Sequence, residues 1–200
     1  MADATEQLQG WLARLQAGDP EALDGLIRHA GGRLERLTHQ MLQGFPGVRR
    51  WAGTDDVFQN AVVRLLRALQ AVQPGSPREF LGLATEQIRR ELIDLARHYY
   101  GPEGIGANHA THPADSDIPP PEKADLSHEP AQLAEWSELH QQIGALPDEE
   151  REVVGFLFYQ GMTQAEAAAL LNVTVRTVQR RWQSALLKLH RVLKGDFPGM

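Results

Sequence analysis

The side chains best suited to chemistry lie at the front of the last predicted helix. Arg176, Gln179, Arg180 and Arg181 place guanidinium and amide groups close together there. Such groups can donate hydrogen bonds to base edges in the major groove of DNA, and neighbouring arginines can contact phosphates. The chain also contains no acidic residue between positions 167 and 195, so positive charge dominates locally. This pattern predicts a DNA-binding helix.

The elements before that helix are those needed to position it. Thr163 and Glu166 have the spacing of a capping box, which predicts the start of a preceding helix. Asn172 stands where a short turn needs a residue that tolerates left-handed backbone angles. Thr174 can cap the next helix, whose face carrying Val175 and Val178 we expect to point inward. Together they predict a helix-turn-helix; the alternative is an amphipathic helix with a solvated arginine face.

The first 100 residues also show helical periodicity throughout. Asp19-Pro20-Glu21 predicts a helix start with Pro20 in the first helical position. A further helix is expected from about Asp55, and another from Arg78 to about Tyr99. No β-type alternation of useful length occurs, so we predict an all-α fold.

The middle of the chain differs from both ends in composition. Residues 101–130 are rich in proline, have no apolar periodicity and are mostly acidic among their charged residues. We therefore predict two small helical domains, at 1–100 and 131–200, joined by a flexible acidic linker at 101–130.

Composition excludes several classes of protein. The 200 residues contain no cysteine, which rules out disulfides and thiolate metal sites. No apolar run is long enough to cross a bilayer, and the N-terminus does not resemble a signal peptide, so we expect a cytoplasmic protein without membrane insertion. The net charge of −6 comes from residues 101–135, because acidic and basic residues are equal in number elsewhere. It does not argue against DNA binding.

Three segments of the C-terminal part resemble region 4 of bacterial sigma factors. They lie at 146–154, 161–166 and 171–178, and they are most similar to the extracytoplasmic-function (ECF) group of the sigma-70 family. The resemblance implies that the last helix reads the promoter −35 element. The implied DNA-contacting residues are Arg176, Thr177, Gln179, Arg180 and Arg181.

The N-terminal part resembles region 2 of the same family. Residues 18–23 are similar to its usual opening, and residues 56–60 are similar to region 2.2, which binds core RNA polymerase. This implies polymerase contacts by Asp56 and Gln59.

Residues 80–100 resemble regions 2.3 and 2.4, which open and read the −10 element. The residues implied in −10 binding are Arg78, Arg89, Arg90 and Arg97. Tyr99 and Tyr100 could in addition stack on exposed bases.

We therefore predict a transcription initiation factor with no catalytic residues, metal or cofactor of its own. Its expected partners are core RNA polymerase and promoter DNA, and an anti-sigma factor is a further candidate. One alternative is a stand-alone helix-turn-helix regulator. A remote one is a metal-dependent enzyme that uses the linker histidines, such as His109 and His112.

Overall fold

The computed structural model describes residues 2–100 and 129–193, and within these ranges the chain forms helices and no strand, which confirms the all-α prediction. The predicted linker lies almost wholly outside the described residues. None of the described helices is both long and apolar enough to cross a membrane. The helices, in chain order, are α1 (Ala2–Gln16), α2 (Ala22–Gln43), α3 (Pro46–Arg49), α4 (Thr54–Ala71), α5 (Pro77–Tyr100), α6 (Glu129–Ala145), α7 (Asp148–Val154), α8 (Gln164–Leu171) and α9 (Val175–Leu193).

The start of α2 differs slightly from the prediction. The helix begins at Ala22, and Pro20 lies in the turn before it. Asp19 nevertheless caps this turn, because its Oδ1 accepts a hydrogen bond from the Glu21 amide at 2.9 Å. Its Oδ2 accepts from Arg14 Nε at 2.7 Å, which ties the end of α1 to the start of α2.

Helices α1, α2, α4 and α5 pack their apolar stripes together. Leu12 of α1, Leu26 and Leu34 of α2, Leu65 of α4 and Phe80 of α5 are all buried in one cluster. Burial of these side chains supplies the main driving force for this packing. The arrangement leaves the polar faces of α4 and α5 at the surface.

The C-terminal helices pack directly on this bundle through an aromatic cluster. The cluster, called the seam below, consists of Phe45, Trp136, His140 and Tyr159. The His140 ring stacks on Phe45 at 4.1 Å between centroids, and it lies 5.8 Å from Trp136 and 5.5 Å from Tyr159. Its Nδ1 is 2.6 Å from the Tyr159 hydroxyl oxygen. No sequence pattern indicated this contact between the two helical parts.

Burial in the seam fixes the charge state of its polar groups. Loss of water around the ring lowers the pKa of His140 to about 3, and the nearby Arg89 lowers it further. The ring is therefore neutral at physiological pH. Burial also raises the pKa of Tyr159, which keeps its hydroxyl protonated.

Polar contacts extend the seam toward α2 and α5. Arg33 donates to the side chain of Gln160 at 3.2 Å, and Gln160 donates to Thr85 Oγ1 at 3.0 Å. One side chain from the C-terminal part is thus hydrogen-bonded to two helices of the N-terminal part.

A π-helical turn, Gly155–Tyr159, follows α7 directly. It closes with a hydrogen bond from the Gln160 amide to the Gly155 carbonyl at 3.1 Å, five residues back. The turn buries both Phe156 and Tyr159. It thereby brings Tyr159 to the seam.

Candidate nucleic-acid interface

The start of α8 is fixed by the predicted capping box. The Glu166 amide donates to Thr163 Oγ1 at 3.2 Å, and Glu166 Oε2 accepts from the Thr163 amide at 2.8 Å. The hydrogen bonds from the Thr163 amide and hydroxyl to the Glu166 carboxylate hold its pKa below the usual range. The sequence prediction is confirmed here.

The turn between α8 and α9 also forms as predicted. Asn172 ends α8 with φ 52° and ψ 46°, which is the left-handed region. Thr174 Oγ1 then accepts from the Thr177 amide at 3.2 Å, which caps α9. Because the backbone groups at the end of α8 and the start of α9 form hydrogen bonds with nearby residues, the angle between the two helices is well defined.

The inner face of α9 packs against the rest of the protein. Val178, Ala185 and Leu189 are buried, and Trp182 is partly buried. The prediction for Val175 was wrong, because this residue is 40% exposed. It occupies the first position of α9, and the buried face of the helix begins only one turn later.

The outer face of α9 carries the predicted −35 residues. Arg176 and Arg180 are exposed, and neither side chain forms a hydrogen bond or ion pair with the described part of the chain. They are four residues apart and therefore lie on the same face. Gln179 is exposed beside them and donates to the side chain of Gln164 at 3.0 Å. Thr177 is partly buried, and its hydroxyl oxygen is 2.9 Å from that of Thr174.

Arg181 has a different environment from the other four. Its side chain is 14% exposed and forms an ion pair with Glu149 of α7 at 2.7 Å. The next acidic residue, Glu150, accepts hydrogen bonds from Lys188 Nζ at 2.7 and 2.8 Å and from Ser184 at 2.9 Å. These contacts fasten one side of α9 to the start of α7. They position the helix, and Arg181 belongs to this group.

Arg78, at the start of α5, binds the C-terminal part of the protein. Its Nε and Nη2 atoms donate to the two carboxylate oxygens of Glu152 at 2.8 and 2.6 Å. This paired geometry raises the pKa of the guanidinium. The Arg78 side chain is still 39% exposed, so the pair lies at the edge of the contact.

Arg89 lies inside the contact. Its side chain is 6% exposed, Nη1 donates to the His140 carbonyl at 2.9 Å, and Nη2 pairs with Glu86. The glycine at position 144 packs against the guanidinium, and a Cβ there would lie 2.5 Å from Nη1. Arg89 therefore joins α5 to α6 in the described arrangement.

Arg90 and Arg97 are exposed on α5. Arg90 donates to Glu86 Oε1 at 2.8 Å, and Arg97 lies 3.9 Å from an oxygen of Asp94. Both line an open groove of about 410 Å³ between α4, α5 and α6, which Gln141 borders on the α6 side. Of the four predicted −10 residues, these two present their charge to solvent.

The predicted polymerase-binding residues lie on the exposed side of α4. Asp56 Oδ2 accepts from the Gly53 amide at 3.1 Å and so helps to start the helix. Gln59 is exposed nearly one turn later, while Val57 and Ala61 on the opposite side are buried. The two residues therefore share an accessible polar face.

Sequence reasoning did not identify Trp51, in the loop between α3 and α4. The residue is 41% exposed, and its indole stacks on the Tyr99 ring with centroids 5.8 Å apart and an interplanar angle of 18°. Its Nε1 donates to the Tyr100 hydroxyl at 3.1 Å, and that hydroxyl donates to the Gly47 carbonyl at 3.2 Å. The available signal was a tryptophan directly after two arginines in a loop.

The described residues contain no group of three or more histidine and acidic side chains that could hold a metal ion. His109 and His112, which the metal-enzyme alternative invokes, lie outside the described residues.

Comparison with known proteins gives a family match across nearly the whole chain. The model of the family described as "ECF sigma factor" matches residues 5–195. RNA polymerase sigma factor CnrH from Cupriavidus metallidurans is 28% identical over 188 residues, covering 92% of this chain and 93% of CnrH. The solved structure of CnrH in complex with the cytosolic domain of CnrY has 22% sequence identity and a TM-score of 0.37, covering 97% of this chain and 99% of that one.

Proposed function

The chain belongs to the ECF sigma factor family, and from that premise we propose that it directs core RNA polymerase to specific promoters. Membership of this family assigns it a role in transcription initiation. Sigma factors are transcription factors and not enzymes. The finer assignments below, of surfaces to promoter elements and to polymerase, are part of the proposal.

The observation that carries the proposal is the outer face of α9. Arg176 and Arg180 are exposed on the second helix of a helix-turn-helix, and neither has an acidic partner within the described residues. An unpaired guanidinium can bind a guanine edge without first breaking an ion pair. We assign these two residues, with Gln179 and Thr177, to the −35 element. Arg181 supports them by holding α9 against Glu149.

For the −10 element we propose Arg90 and Arg97 as the residues available in this arrangement. Arg78 and Arg89 could take part only after they leave Glu152 and the His140 carbonyl. Their contribution would therefore require the two helical parts to separate. The domains at 1–100 and 131–200 would then act as independent units on the two promoter elements.

We assign polymerase binding to the exposed face of α4 that carries Asp56 and Gln59. The face combines one carboxylate and one amide on a rigid helix, which suits specific polar contacts with a protein partner. An anti-sigma factor is a further candidate partner on the strength of the family alone.

Co-migration of the purified full chain with core RNA polymerase on size exclusion tests the proposal. The matched variants are Asp56→Asn with Gln59→Ala, and Glu35→Gln as a control at an exposed position on α2. Asparagine retains an acceptor for the Gly53 amide, so the first variant should fold. We expect co-migration of the wild type and of the control, and weaker association of the Asp56 and Gln59 variant.

Failure of the folded wild type to associate with core polymerase would overturn the proposal. Tight binding of the free chain to promoter DNA, in the absence of polymerase, would then favour a stand-alone helix-turn-helix regulator. A gel shift with and without core polymerase distinguishes the two.

A further inference from the structure

A strip of basic and aromatic side chains runs along the C-terminal half of α5 and ends at Trp51. Arg90 and Arg97 lie two turns apart on the exposed side of the helix, about 10 Å along its axis. His98 and Tyr99 follow directly, and the ring of Tyr99 is covered by Trp51 from the preceding loop. Alternating positive charge and aromatic surface is the pattern with which proteins bind single-stranded nucleic acid.

Within this strip the tyrosines support the tryptophan. Both tyrosines are only partly exposed, and the Tyr100 hydroxyl is engaged by Trp51 Nε1 and the Gly47 carbonyl. One side of the Tyr99 ring stacks against the indole. Trp51, at 41% exposure, is therefore the ring that an approaching base would meet first.

The indole is held in a defined orientation. The hydrogen bond of Trp51 Nε1 to Tyr100 and the near-parallel stack on Tyr99 both restrict its side-chain torsions. A ring that is ordered before binding loses little conformational entropy on contact with a ligand.

Positive charge surrounds this ring. The Arg50 guanidinium carbon lies 5.6 Å from the centroid of the Trp51 ring, and Arg49 is exposed next to it. A base on the indole would therefore place its neighbouring phosphates close to these two guanidinium groups, which is favourable.

We propose that Trp51 is a base-stacking residue that binds an unpaired base of the opened promoter strand. The base lies on the exposed part of the indole, while Arg97 and Arg50 contact the flanking phosphates. This inference rests on the proposed function, because it needs a promoter strand opened by the polymerase complex. It assigns the stacking role to Trp51 instead of the two tyrosines.

The test uses complexes of core RNA polymerase with the full chain carrying Trp51→Phe or Trp51→Leu. Phenylalanine retains an aromatic face, whereas leucine retains apolar bulk without one. Binding is measured to fork DNA with an unpaired −10 strand and to the same promoter as a full duplex. Trp11→Leu, which replaces a partly exposed tryptophan on α1 outside the strip, is the matched control.

We expect Trp51→Leu to weaken binding to fork DNA by roughly 5- to 150-fold, the range for loss of one base–aromatic stack. Trp51→Phe should weaken binding to fork DNA by less than about threefold. Association with core polymerase and binding to the full duplex should match the wild type for both variants, and Trp11→Leu should match it in all three binding measurements.

Two results would overturn the inference. One is wild-type affinity of Trp51→Leu for fork DNA. The other is an equal loss for both variants that follows a fall in thermal stability, because this would show a purely structural role. In either case the proposed function survives if the wild type still binds core polymerase and promoter; if it does not, the proposed function itself fails.

Discussion

Helices α5 and α9 both carry arginines that were predicted to meet DNA, but these arginines lie in different environments. On α9, Arg176 and Arg180 are exposed, with no ion pair to any described residue. On α5, Arg78 binds Glu152, and Arg89 is buried against the His140 carbonyl. The difference shows that an arginine-rich helix face does not by itself define a DNA-binding surface. Burial and acceptors together decide which arginines are available, since Arg90 and Arg97 have carboxylate neighbours and still remain exposed.

Part of the difference between the arginines of α5 and α9 can be predicted from the sequence. α9 has no acidic residue, whereas Glu86 and Asp94 of α5 lie three or four residues from Arg89, Arg90 and Arg97. Residues at this spacing meet on a helix surface, so these pairs could be anticipated. The pair between Arg78 and Glu152 could not, because its members are 74 residues apart.

The largest change in the free energy of unfolding should come from removing the buried arginine of α5. Arg89→Ala leaves the His140 carbonyl without its donor and the partly buried Glu86 carboxylate with Arg90 alone, and loss of one member of a buried ion pair costs about 3–5 kcal/mol. We expect the free energy of unfolding to fall by about 3 kcal/mol in urea titration. Arg90→Ala, the exposed neighbour that shares Glu86, should change it by less than about 0.5 kcal/mol. Equal effects of the two substitutions would contradict the distinction between buried and exposed arginines.

On α9, removal of an exposed arginine should weaken DNA binding and leave the free energy of unfolding unchanged. Arg180→Ala should weaken promoter binding by the polymerase complex by about 1–3 kcal/mol if the side chain reads a base. Its unfolding free energy should not change, because Arg180 has no partner within the described residues. Arg181→Ala is the contrasting variant, since loss of the Glu149 pair should lower stability. A stability loss for Arg180→Ala, with unchanged promoter affinity, would remove it from the DNA surface.

The seam should make stability depend on pH. The folded-state pKa of His140 is lowered to about 3, below the ordinary value near 6.5, so its contribution is fully present above pH 6.5. As pH falls, the unfolded chain binds a proton that the folded protein does not, and stability decreases by up to about 2 kcal/mol between pH 6.5 and 5. His140→Phe should flatten this slope in thermal or urea unfolding, whereas His98→Gln, at an exposed position, should leave it unchanged. Parallel slopes for the wild type and His140→Phe would show that another group is responsible.

The smallest change in the free energy of unfolding is expected at the edge of the contact between the N-terminal and C-terminal helical parts. Arg78→Ala removes the ion pair with Glu152, but the pair is screened because the Arg78 side chain is 39% exposed. We expect a loss of about 1 kcal/mol or less in unfolding free energy, and less at high salt. A loss as large as that of Arg89→Ala would mean that the edge and the interior of the contact are equally important.

The features that sequence reasoning predicted are those that depend on neighbouring residues. The capping box of Thr163 and Glu166 and the left-handed turn at Asn172 both arise within four residues, so the local pattern determines them. The seam could not be predicted, because His140 meets Phe45 only after two distant helices pack together. The same holds for Trp51 and for the partner of Arg181, whose environments are set by tertiary contacts.

The π-helical turn Gly155–Tyr159 has a consequence for insertions and deletions in this chain. The π-helical turn at the end of α7 holds one residue more than an α-helical turn would, so a single deletion there could be absorbed by rewinding to an α-helix. Each residue of an α-helix advances the side-chain direction by about 100°, and the rewound helix could not keep both Phe156 and Tyr159 in their buried positions. Such a deletion would preserve helix content but separate Tyr159 from His140. The length of this short segment is therefore constrained more strictly than its composition, and a family member one residue shorter here would need a different contact between its two helical parts.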